Sequence, residues 1–537
     1  MTEFTLSYRE VIPDQTSLEN WKKIALSTGG TQSTLQDIKV AERANGFCYE
    51  DSTKHHTRNR FIYWRINYDI LELVEHSLDV NLSGNRIGYK FKDTPILDGV
   101  SIHEVAENVI VLVPTVCSIH RLIFSHPDRF HRQDELLGTH PDLAAPSIFS
   151  RASGIEARNP SSFHVFSGPS SANDQLPSLA CSYLLPETDE AIFVLAYPST
   201  ELLLIKQSSS GQIVSTELKG ESLVPRFLSG LAEKFRQRNS DGDSIVSLLI
   251  LVIDYETYII TLCRDGHLKF WSISKGQCVA VIDLLAETGD VTKDRVQTAI
   301  LRKAVDANNS ENIISVFMSF STGCQFYILQ PVINGQQIRI VRLNTLYPSE
   351  NDLIDFSIQK NRLWSAWRSE DGECVVYTAS YKTNNWTRVI LEALPDANQA
   401  PALDGESDPR QFYLQHIFHP GRFPLHIIGK ALSIYKRPTI LPDSLLTASV
   451  LKQRISIAVE NEIQNTLGDS MVSDEEYLEC AEWCWQKFYS CCVQYYIASQ
   501  KPLGIMPLPL SFRGSISKKI IVFIFEATGP LGAYDIM

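Results

Sequence analysis

The chain has 537 residues, more than the roughly 250–300 that a single hydrophobic core serves, so it must contain several domains or a repeat architecture. Hydrophobic residues make up 44% and charged residues 21%, a composition that excludes overall disorder. The formal net charge of −13 argues against a nucleic-acid or anionic-membrane surface, because such surfaces gather Lys and Arg. We therefore expect no direct contact with nucleic acid.

Signals for membrane insertion or secretion are not visible. Met1–Pro13 carries no charged stretch followed by an apolar one, so we expect no secretory signal. No run of about 18 apolar residues predicts a transmembrane segment. Eleven cysteines without paired spacing are typical of reduced thiols in the cytosol or nucleus.

Many short strands, separated by turn residues, follow a predicted short helix at Thr16–Leu26. Those in the first half are Phe61–Ile66, Arg86–Phe91, Val109–Pro114, Ser118–Phe124, Ile192–Tyr197, Leu202–Gln207, Ile213–Leu218, Ile245–Ile253 and Thr257–Cys263. Those further along are Ile313–Ser319, Gln325–Leu329, Ile338–Leu343, Leu363–Arg368, Glu373–Ala379 and Thr387–Leu391. Long helices are nearly absent before residue 400.

Two segments interrupt the strands. His126–Ser178 is rich in Ser, Pro, Asn and His, which predicts an extended loop between strands with a short helix. Ser222–Arg238 places Phe227, Leu231 and Phe235 four residues apart among basic residues, which predicts an amphipathic surface helix.

The most informative segment is the hairpin that begins at Ile259. Asp265-Gly266 favours a tight turn because both residues tolerate positive φ, and the strand after it carries Phe270 and Trp271. A third strand, Cys278–Asp283, completes a meander. An aromatic-Trp pair at the end of the second strand is typical of one β-propeller blade, which cannot bury both faces without neighbours.

The strand groups recur in units of similar size. At roughly 40–45 residues per four-stranded blade, about 400 residues accommodate seven blades after long insertions are subtracted. Two stacked β-sandwiches would contain similar strands, but their turns need not recur in blade-sized groups. We therefore favour the propeller.

Helical periodicity replaces the strand pattern after a Pro- and Asp-rich linker at Leu394–Arg410. An apolar stripe predicts one helix over Ala448–Ile463. Ser473 and Glu476 form a capping box before a second helix, which should be sandwiched because apolar groups cover more than one face. Ile520–Phe525 is then a predicted strand that could return to the propeller, making the helices an insertion.

No catalytic motif is present: a G-x-x-x-x-G-K-[ST] phosphate loop and a G-x-S-x-G nucleophile elbow are both missing. Cys480, Cys484, Cys491 and Cys492 are the best metal candidates, since two thiols four residues apart share a helix face. The tryptophans between them make the surroundings apolar, which favours buried reduced cysteines.

Other polar candidates favour structural roles. Exposed side chains are predicted for His55, His56, His126, His131 and His140. Asp265, two residues before His267, should bond its own turn backbone, and Trp271 should pack between blades. We therefore predict no catalytic, cofactor-binding or metal residues, no cofactor and no small-molecule substrate.

Four segments carry a combined signal: His120–Phe124 with His126-Pro127, Cys263–Ser272, Ile417–Phe423 and Lys501–Gly504. In this order they resemble the family of the 160-kilodalton nucleoporin, whose yeast counterpart is the 120-kilodalton nucleoporin. The resemblance covers roughly residues 30–505. Pro507–Met537 departs from the family pattern, and the family continues beyond it as a long helical solenoid.

The resemblance implies a mainly β fold, a seven-bladed β-propeller with an α-helical bundle inserted before the last blade. The expected segments are propeller blades at 1–404, the helical insertion at 405–500, and returning strands with an atypical tail at 501–537. It further implies a non-enzymatic scaffold in the Y-shaped outer-ring complex of the nuclear pore. Its partners would be other outer-ring nucleoporins at the nuclear envelope, supporting pore assembly, mRNA export and protein transport.

Two alternatives remain open at this point. A propeller adaptor outside the pore, such as a ubiquitin-ligase substrate receptor or a vesicle-coat subunit, would have the same fold. An enzyme using the central channel would need polar and titratable residues that converge at the starts of strands around the propeller axis.

Overall fold

The computed structural model divides the chain into two compact units. The blade unit comprises Lys22–Val389 and Gly504–Ser517, and the helical unit comprises Met1–Trp21, Ile390–Leu503 and Lys518–Met537. The structure describes residues 8–11, 22–30, 43–49, 57, 60–77, 82–105, 107–129, 145–169, 175–218, 244–288, 296–304, 312–334, 337–359, 362–369, 374–389, 403, 408–418, 423, 425–436, 448–468, 473–498, 502–507 and 519–525.

The blade unit is a β-propeller whose sheets follow one another along the chain. Blade 1 consists of Lys22–Ser27, Arg43–Cys48, Arg60–Asn67, Ile70–Ser77 and Arg86–Lys92. Blade 2 consists of Ser101–Val105, Asn108–Pro114, Ser118–Ser125 and Phe163–Val165. Blade 3 consists of Leu179–Leu185, Glu190–Ala196, Leu202–Gln207 and Ile213–Leu218.

The remaining blades have four strands each. Blade 4 consists of Ile245–Ile253, Glu256–Cys263, His267–Ser272 and Gln277–Asp283. Blade 5 consists of Thr298–Lys303, Ile314–Phe320, Gly323–Asn334 and Gln337–Leu346. Blade 6 consists of Leu353–Gln359, Arg362–Arg368, Cys374–Ser380 and Trp386–Arg388. The strands predicted from the sequence fall on these strands, with ends shifted by a few residues.

The described part of the chain forms six blades, so the predicted number of seven is wrong. The prediction divided about 400 residues by the size of one blade after subtracting long insertions, and it subtracted too few residues. Long connections take up much of that length, such as the segment that separates the third and fourth strands of blade 2. Within residues 409–498, the elements that the structure describes are helices and not strands.

Hydrophobic clusters fill the interfaces between consecutive blades. The first strands of blades 2 to 6 neighbour one another in succession, which makes them the innermost strands. Each pair of adjacent blades shares one cluster of buried aliphatic and aromatic side chains. Because successive side chains of a strand point to opposite faces, each inner blade contributes to two clusters.

Blade 1 contains a fifth strand at a position where a helix was predicted. Lys22–Ser27 pairs parallel with Arg86–Lys92 on the outer edge of the blade. Ile24 and Leu26 are buried and the residues between them are exposed, the two-residue period of a strand. The helix prediction for Thr16–Leu26 is therefore wrong where the structure describes this segment.

The two predicted interruptions have different outcomes. Within His126–Ser178 the structure has helix α1 (Gly154–Ala157), the 3-10 helix Pro160–Ser162 and the outer strand of blade 2. The predicted short helix is confirmed, whereas the strand was missed. Ala145–Pro146 pairs parallel with Leu82–Ser83. The helix predicted at Ser222–Arg238 lies outside the described residues.

The short helix α2 (Leu284–Thr288) follows blade 4, and the long helices that the structure describes belong to the helical unit. These are α3 (Pro409–Ile417), α4 (Leu425–Lys436), α5 (Ala448–Leu467) and α6 (Asp474–Ala498). The predicted linker extended to Arg410, whereas helix α3 already begins at Pro409. The Asp408 carboxylate caps this helix by accepting a hydrogen bond from the Arg410 N–H at 3.0 Å.

Helix α6 is the centre of the helical core. It packs against α3, α4 and α5, which confirms that this helix is sandwiched. Ser473 caps it: the Glu476 N–H donates to Ser473 Oγ at 3.3 Å, and the Ser473 N–H donates to the Glu476 carboxylate at 3.0 Å. The predicted capping box is therefore confirmed.

Three further strands lie outside the blades. Tyr8–Val11 pairs parallel with Lys519–Phe525, which confirms the strand predicted at Ile520–Phe525. The third is Pro502–Pro507. Among the described helices, none is both long and apolar enough to cross a lipid bilayer.

Candidate functional site

Phe270 and Trp271 fix blade 4 to both of its neighbours. Their side chains point to opposite faces of the third strand. Phe270 is fully buried in the cluster between blades 4 and 5, and Trp271 in the cluster between blades 3 and 4. A β-bulge falls between the two residues. The predicted packing of Trp271 between blades is confirmed.

Neighbouring residues in blade 2 divide their contacts in the same way. The His120 ring lies 4.7 Å from the Phe91 ring of blade 1 and is stacked on Phe163. Arg121 turns towards blade 3, where its Nη2 is 2.7 Å from the Asp189 carboxylate and its Nη1 donates to the Asp189 carbonyl at 2.8 Å. Burial lowers the pKa of His120 to about 3, so this histidine is a neutral packing residue.

The turn of blade 4 uses its polar residues locally. The His267 N–H donates to the Asp265 carboxylate at 3.1 Å, which confirms the predicted role of Asp265. The same carboxylate lies 2.9 Å from His267 Nδ1. This contact with Asp265 raises the pKa of His267. Burial of Asp265 acts to raise the pKa of its carboxyl, whereas its hydrogen bonds with His267 act to lower it. The hydrogen bonds have the larger combined effect, so the pKa of Asp265 lies below its usual value.

Polar side chains also meet on the innermost strands of blades 2 and 3. Ser182 Oγ donates its proton to the Gly99 carbonyl at 2.5 Å. The hydrogen bond between Ser182 Oγ and Ser101 Oγ, which are 2.7 Å apart, must therefore use the proton of Ser101. Ser101 has no second proton, and His103 Nε2 must therefore donate to it at 2.8 Å. Nε2 cannot then accept a proton from Ser101. Burial lowers the pKa of His103 to about 3, with a smaller contribution from Lys303.

Lys303 joins this group from blade 5. Its ammonium lies 4.7 Å from the centroid of the Tyr183 ring on the first strand of blade 3. The Tyr183 ring packs edge-on against His103. The group therefore ties three innermost strands together through a cation–π contact and a hydrogen-bond chain that ends on a backbone carbonyl. It has the geometry of a structural contact rather than of an acid–base pair.

A buried carboxylate was missed by sequence reasoning. Glu75 of blade 1 is fully buried and accepts hydrogen bonds from the Tyr49 hydroxyl at 2.7 Å and the Ile148 N–H at 3.0 Å. Arg60 Nη1 lies 3.8 Å from it. A sequence signal exists, because Glu75 continues the alternation of Leu71 and Leu73 on one buried face.

His126 extends this buried polar region into blade 2. Its ring packs edge-on against Tyr49, with centroids 5.9 Å apart, and its Nε2 lies 2.9 Å from the Glu104 carboxylate. The side chain is completely buried, so the predicted exposure of His126 is wrong. His55, His56, His131 and His140 lie outside the described residues. Among the residues that are described, no three His, Cys, Asp or Glu side chains converge as a metal site.

Comparison with known proteins decides the family. The sequence profile described as "Nucleoporin Nup120/160, beta-propeller domain" matches residues 60–519. The chain belongs to the Nup120/160 nucleoporin family. The chain is 36% identical over 510 residues to "Nuclear pore complex protein Nup160 homolog" of Drosophila melanogaster, covering 94% of this chain and 35% of that protein.

Two other Nup120/160 proteins match at lower identity. "Nuclear pore complex protein Nup160" of Homo sapiens is 31% identical, with 89% of this chain and 34% of that protein covered. "Nucleoporin NUP120" of Chaetomium thermophilum is 21% identical, with 50% of this chain and 24% of that protein covered. The chain spans about a third of the length of the first curated relatives it matches.

Three of the four motifs that resembled the Nup120/160 family contribute to packing, and the side chains of the fourth, Lys501–Gly504, lie outside the described part of the chain. Those at His120 and Cys263 supply the blade contacts described above, and Ile417 and Phe423 are buried in the helical core. The Phe423 ring packs against Tyr489 and Tyr496 of α6, with centroids 5.7 and 5.8 Å away.

The cysteines of α6 lie in or beside the hydrophobic core of the helical unit. Cys484 and Cys492 are fully buried, which confirms the packing role predicted for them. Cys480 and Cys491 are partly buried beside them. Burial raises the pKa of Cys484 to about 12 and also raises that of Cys491, so both remain thiols at neutral pH.

Proposed function

We propose that this chain is a non-enzymatic scaffold component of the outer-ring, Y-shaped complex of the nuclear pore. Membership of the Nup120/160 family carries the proposal, since relatives that match about nine-tenths of the chain are named nuclear pore complex proteins. Its partners would be other outer-ring nucleoporins, and its location the nuclear envelope. Support of pore assembly, mRNA export and protein transport would follow from that position.

The mechanism we propose is geometric. Phe270 and Trp271 bind blade 4 to its two neighbours, and the other inner blades likewise contribute to two clusters, which supports a rigid body able to present partner surfaces. The polar group at His103 is committed to inter-strand contacts, which supports a scaffold over a channel enzyme. No cofactor is required by such a role.

We further propose that the helical segment 405–500 is an insertion within the propeller domain, after blades in 1–404 and before returning strands in 501–537. The family profile for the propeller domain runs across α3 to α6 and reaches residue 519, which supports this order. Replacing residues 405–500 with a short Gly-Ser linker tests it. Retention of the blade unit's cooperative unfolding would support an insertion, and its loss would contradict one.

The scaffold role is tested by tagging the protein in cells. We expect fluorescence at the nuclear rim and co-purification with outer-ring nucleoporins. A diffuse protein that instead recovers ubiquitin-ligase or vesicle-coat subunits would contradict the proposal. We expect the Trp271→Ala variant, which disturbs the interface between blades 3 and 4, to lose rim fluorescence, because assembly would require correctly packed blades.

A further inference from the structure

The innermost strand of blade 1, Arg43–Cys48, contains the residue pair Asn45-Gly46. In any Asn-Gly pair, the main-chain nitrogen of the glycine is close enough in the chain to attack the carboxamide of the asparagine. Glycine has no Cβ to obstruct that approach. Both residues are partly exposed, so water reaches them. A chemical reaction at this pair therefore depends on how the strand holds the two groups.

The N–H of Gly46 is not used by the sheet. Asn67 and Ile70 close a two-residue turn between the second and third strands of blade 1. The closing pair of such a turn exchanges hydrogen bonds, and backbone groups alternate sides along a strand, so Trp64 bonds to the innermost strand. Its partner there is Asn45. Gly46 is the next residue, so its N–H faces the free edge of a strand that has a single neighbour among the described strands.

This free N–H is directed at the side chain of the preceding residue. The Gly46 N–H donates to Asn45 Oδ1 at 2.7 Å. Since the C=O bond is about 1.2 Å long, the Gly46 nitrogen lies within about 4 Å of Asn45 Cγ, the carbon it would attack. Reacting atoms approach to about 3–3.5 Å, and rotation of the carboxamide about the Cβ–Cγ bond is easy. The fold thus keeps the two reacting groups together.

Blade 5 contains the same hydrogen bond in an unreactive setting. The Thr345 N–H donates to Asn344 Oδ1 at 2.8 Å. Threonine is β-branched, however, and its side chain crowds the nitrogen. The Asn344 carboxamide is also fixed, because its Nδ2 donates to the Tyr381 carbonyl at 2.8 Å. Asn344 is therefore a matched comparison for Asn45 within the same molecule.

We propose that Asn45-Gly46 is a site of spontaneous deamidation in the folded protein. After hydroxide removes its proton, the Gly46 nitrogen forms a bond to Asn45 Cγ. The bond from Cγ to the side-chain nitrogen breaks, ammonia leaves with a proton from water, and the hydroxide is regenerated. Water then opens the cyclic succinimide at either carbonyl, which gives aspartate or isoaspartate. The net reaction consumes one water and releases one ammonia, with no oxidation or reduction.

The product places a new carboxylate at the joint between blades 1 and 2. Arg43 and Asn45 are two residues apart and share one face of the strand. On this face Arg43 Nη1 lies 2.7 Å from the Asp98 carboxylate, and Phe47 packs against the cluster shared by the two blades. An aspartate at position 45 would compete with Asp98 for Arg43. Isoaspartate would also lengthen the main chain and disturb the strand register, so deamidation would weaken the joint.

The test follows the full 537-residue chain in mildly alkaline buffer by proteolytic digestion and mass spectrometry. The Asn45 peptide should convert to aspartate and isoaspartate within about tenfold of its rate in the urea-unfolded chain, because a displaced nucleophile would cost about 100-fold. The rate should rise with pH, and the Asn344 peptide should stay intact. A folded rate at Asn45 more than about tenfold below the unfolded rate would overturn the proposal, as would equal conversion at Asn344.

Variants separate Asn45 from the other Asn-Gly pair of the chain, Asn334-Gly335. Asn45→Gln should abolish conversion at this position, since the longer side chain would have to form a larger ring. Aged wild-type protein should melt about 2 °C or more below fresh protein, whereas aged Asn45→Gln should not, although it retains Asn334-Gly335. An unchanged melting temperature after full conversion, or an equal decline in aged Asn45→Gln, would overturn the predicted weakening of the joint.

Discussion

The indole Nε1 of Trp271 donates a hydrogen bond to Thr261 Oγ1 at 3.2 Å, between two adjacent strands of blade 4. Both residues are buried, so the bond satisfies a donor and an acceptor that water cannot reach. Trp271 can therefore fill the interface with blade 3 without leaving its N–H unpaired.

Trp271→Ala should destabilise the blade unit by about 3–5 kcal/mol, because it empties a large volume between two blades. Trp271→Phe should cost less, since it retains most of the apolar contact but leaves Thr261 without its donor. Urea unfolding followed by circular dichroism measures both. Tyr255→Phe is the control, because Tyr255 is 96% exposed and its change should stay within about 0.5 kcal/mol. Equal effects for the two Trp271 variants would contradict a packing role.

Glu75→Ala should destabilise the protein by about 3–5 kcal/mol, because it leaves Arg60 buried without a carboxylate and removes the acceptor of Tyr49. Glu75→Gln retains an acceptor oxygen and should cost less. Thermal unfolding at fixed pH measures the difference. Glu187→Ala, at an exposed position in the turn between the first two strands of blade 3, is the comparison; a change as large as that of Glu75→Ala would show that burial is not the cause.

The Asp265–His267 contact should make stability depend on pH near neutrality. The pKa of His267 is raised in the folded protein, so its stabilising contribution is fully present below the unfolded value of about 6.5. It is lost as pH rises through the folded pKa. Thermal unfolding between about pH 5 and 8.5 should show this decline, and His267→Gln should remove it. An unchanged pH profile in His267→Gln would assign the decline to other groups.

Gly266→Ala should destabilise blade 4 by more than about 1 kcal/mol, because Gly266 has φ +90° and a methyl group there would lie 3.0 Å from Leu285 Cγ. Gly276→Ala is the matched control for positive φ alone, since its φ is +65° and its nearest neighbour would be 4.0 Å away. The difference between the two melting temperatures reports the contact with Leu285 together with the less favourable φ at Gly266. No difference would show that Leu285 moves aside without cost.

The sequence predicted the middle strands of the blades better than the innermost ones. Ser101–Val105, Leu179–Leu185 and Thr298–Lys303 were all missed. They mix polar and apolar residues because some of their side chains, such as Ser101, Ser182 and Lys303, join the polar group at His103, while the others enter the apolar clusters between blades. Alternation or a continuous apolar run, the signals used for strands, is weak in such segments.

The buried contacts of Glu75 and Arg121 could be predicted only in part. Position in the apolar alternation indicates that Glu75 faces inward, but its partners Tyr49 and Ile148 come from distant parts of the chain. Arg121 finds Asp189 on the next blade, a contact that depends on how two blades pack. Blade number was wrong for a related reason, since length does not reveal how many residues connections use.

The parallel fifth strand of blade 1 has a consequence for synthesis. Lys22–Ser27 leaves the ribosome well before its pairing partner, Arg86–Lys92, has been translated. At roughly 5–20 residues per second, its edge stays unpaired for several seconds in every nascent chain. During that interval the alternating Ile24 and Leu26 are open to chaperones or to another nascent chain. Blade 1 is thus the point at which co-translational misassembly of this protein can begin.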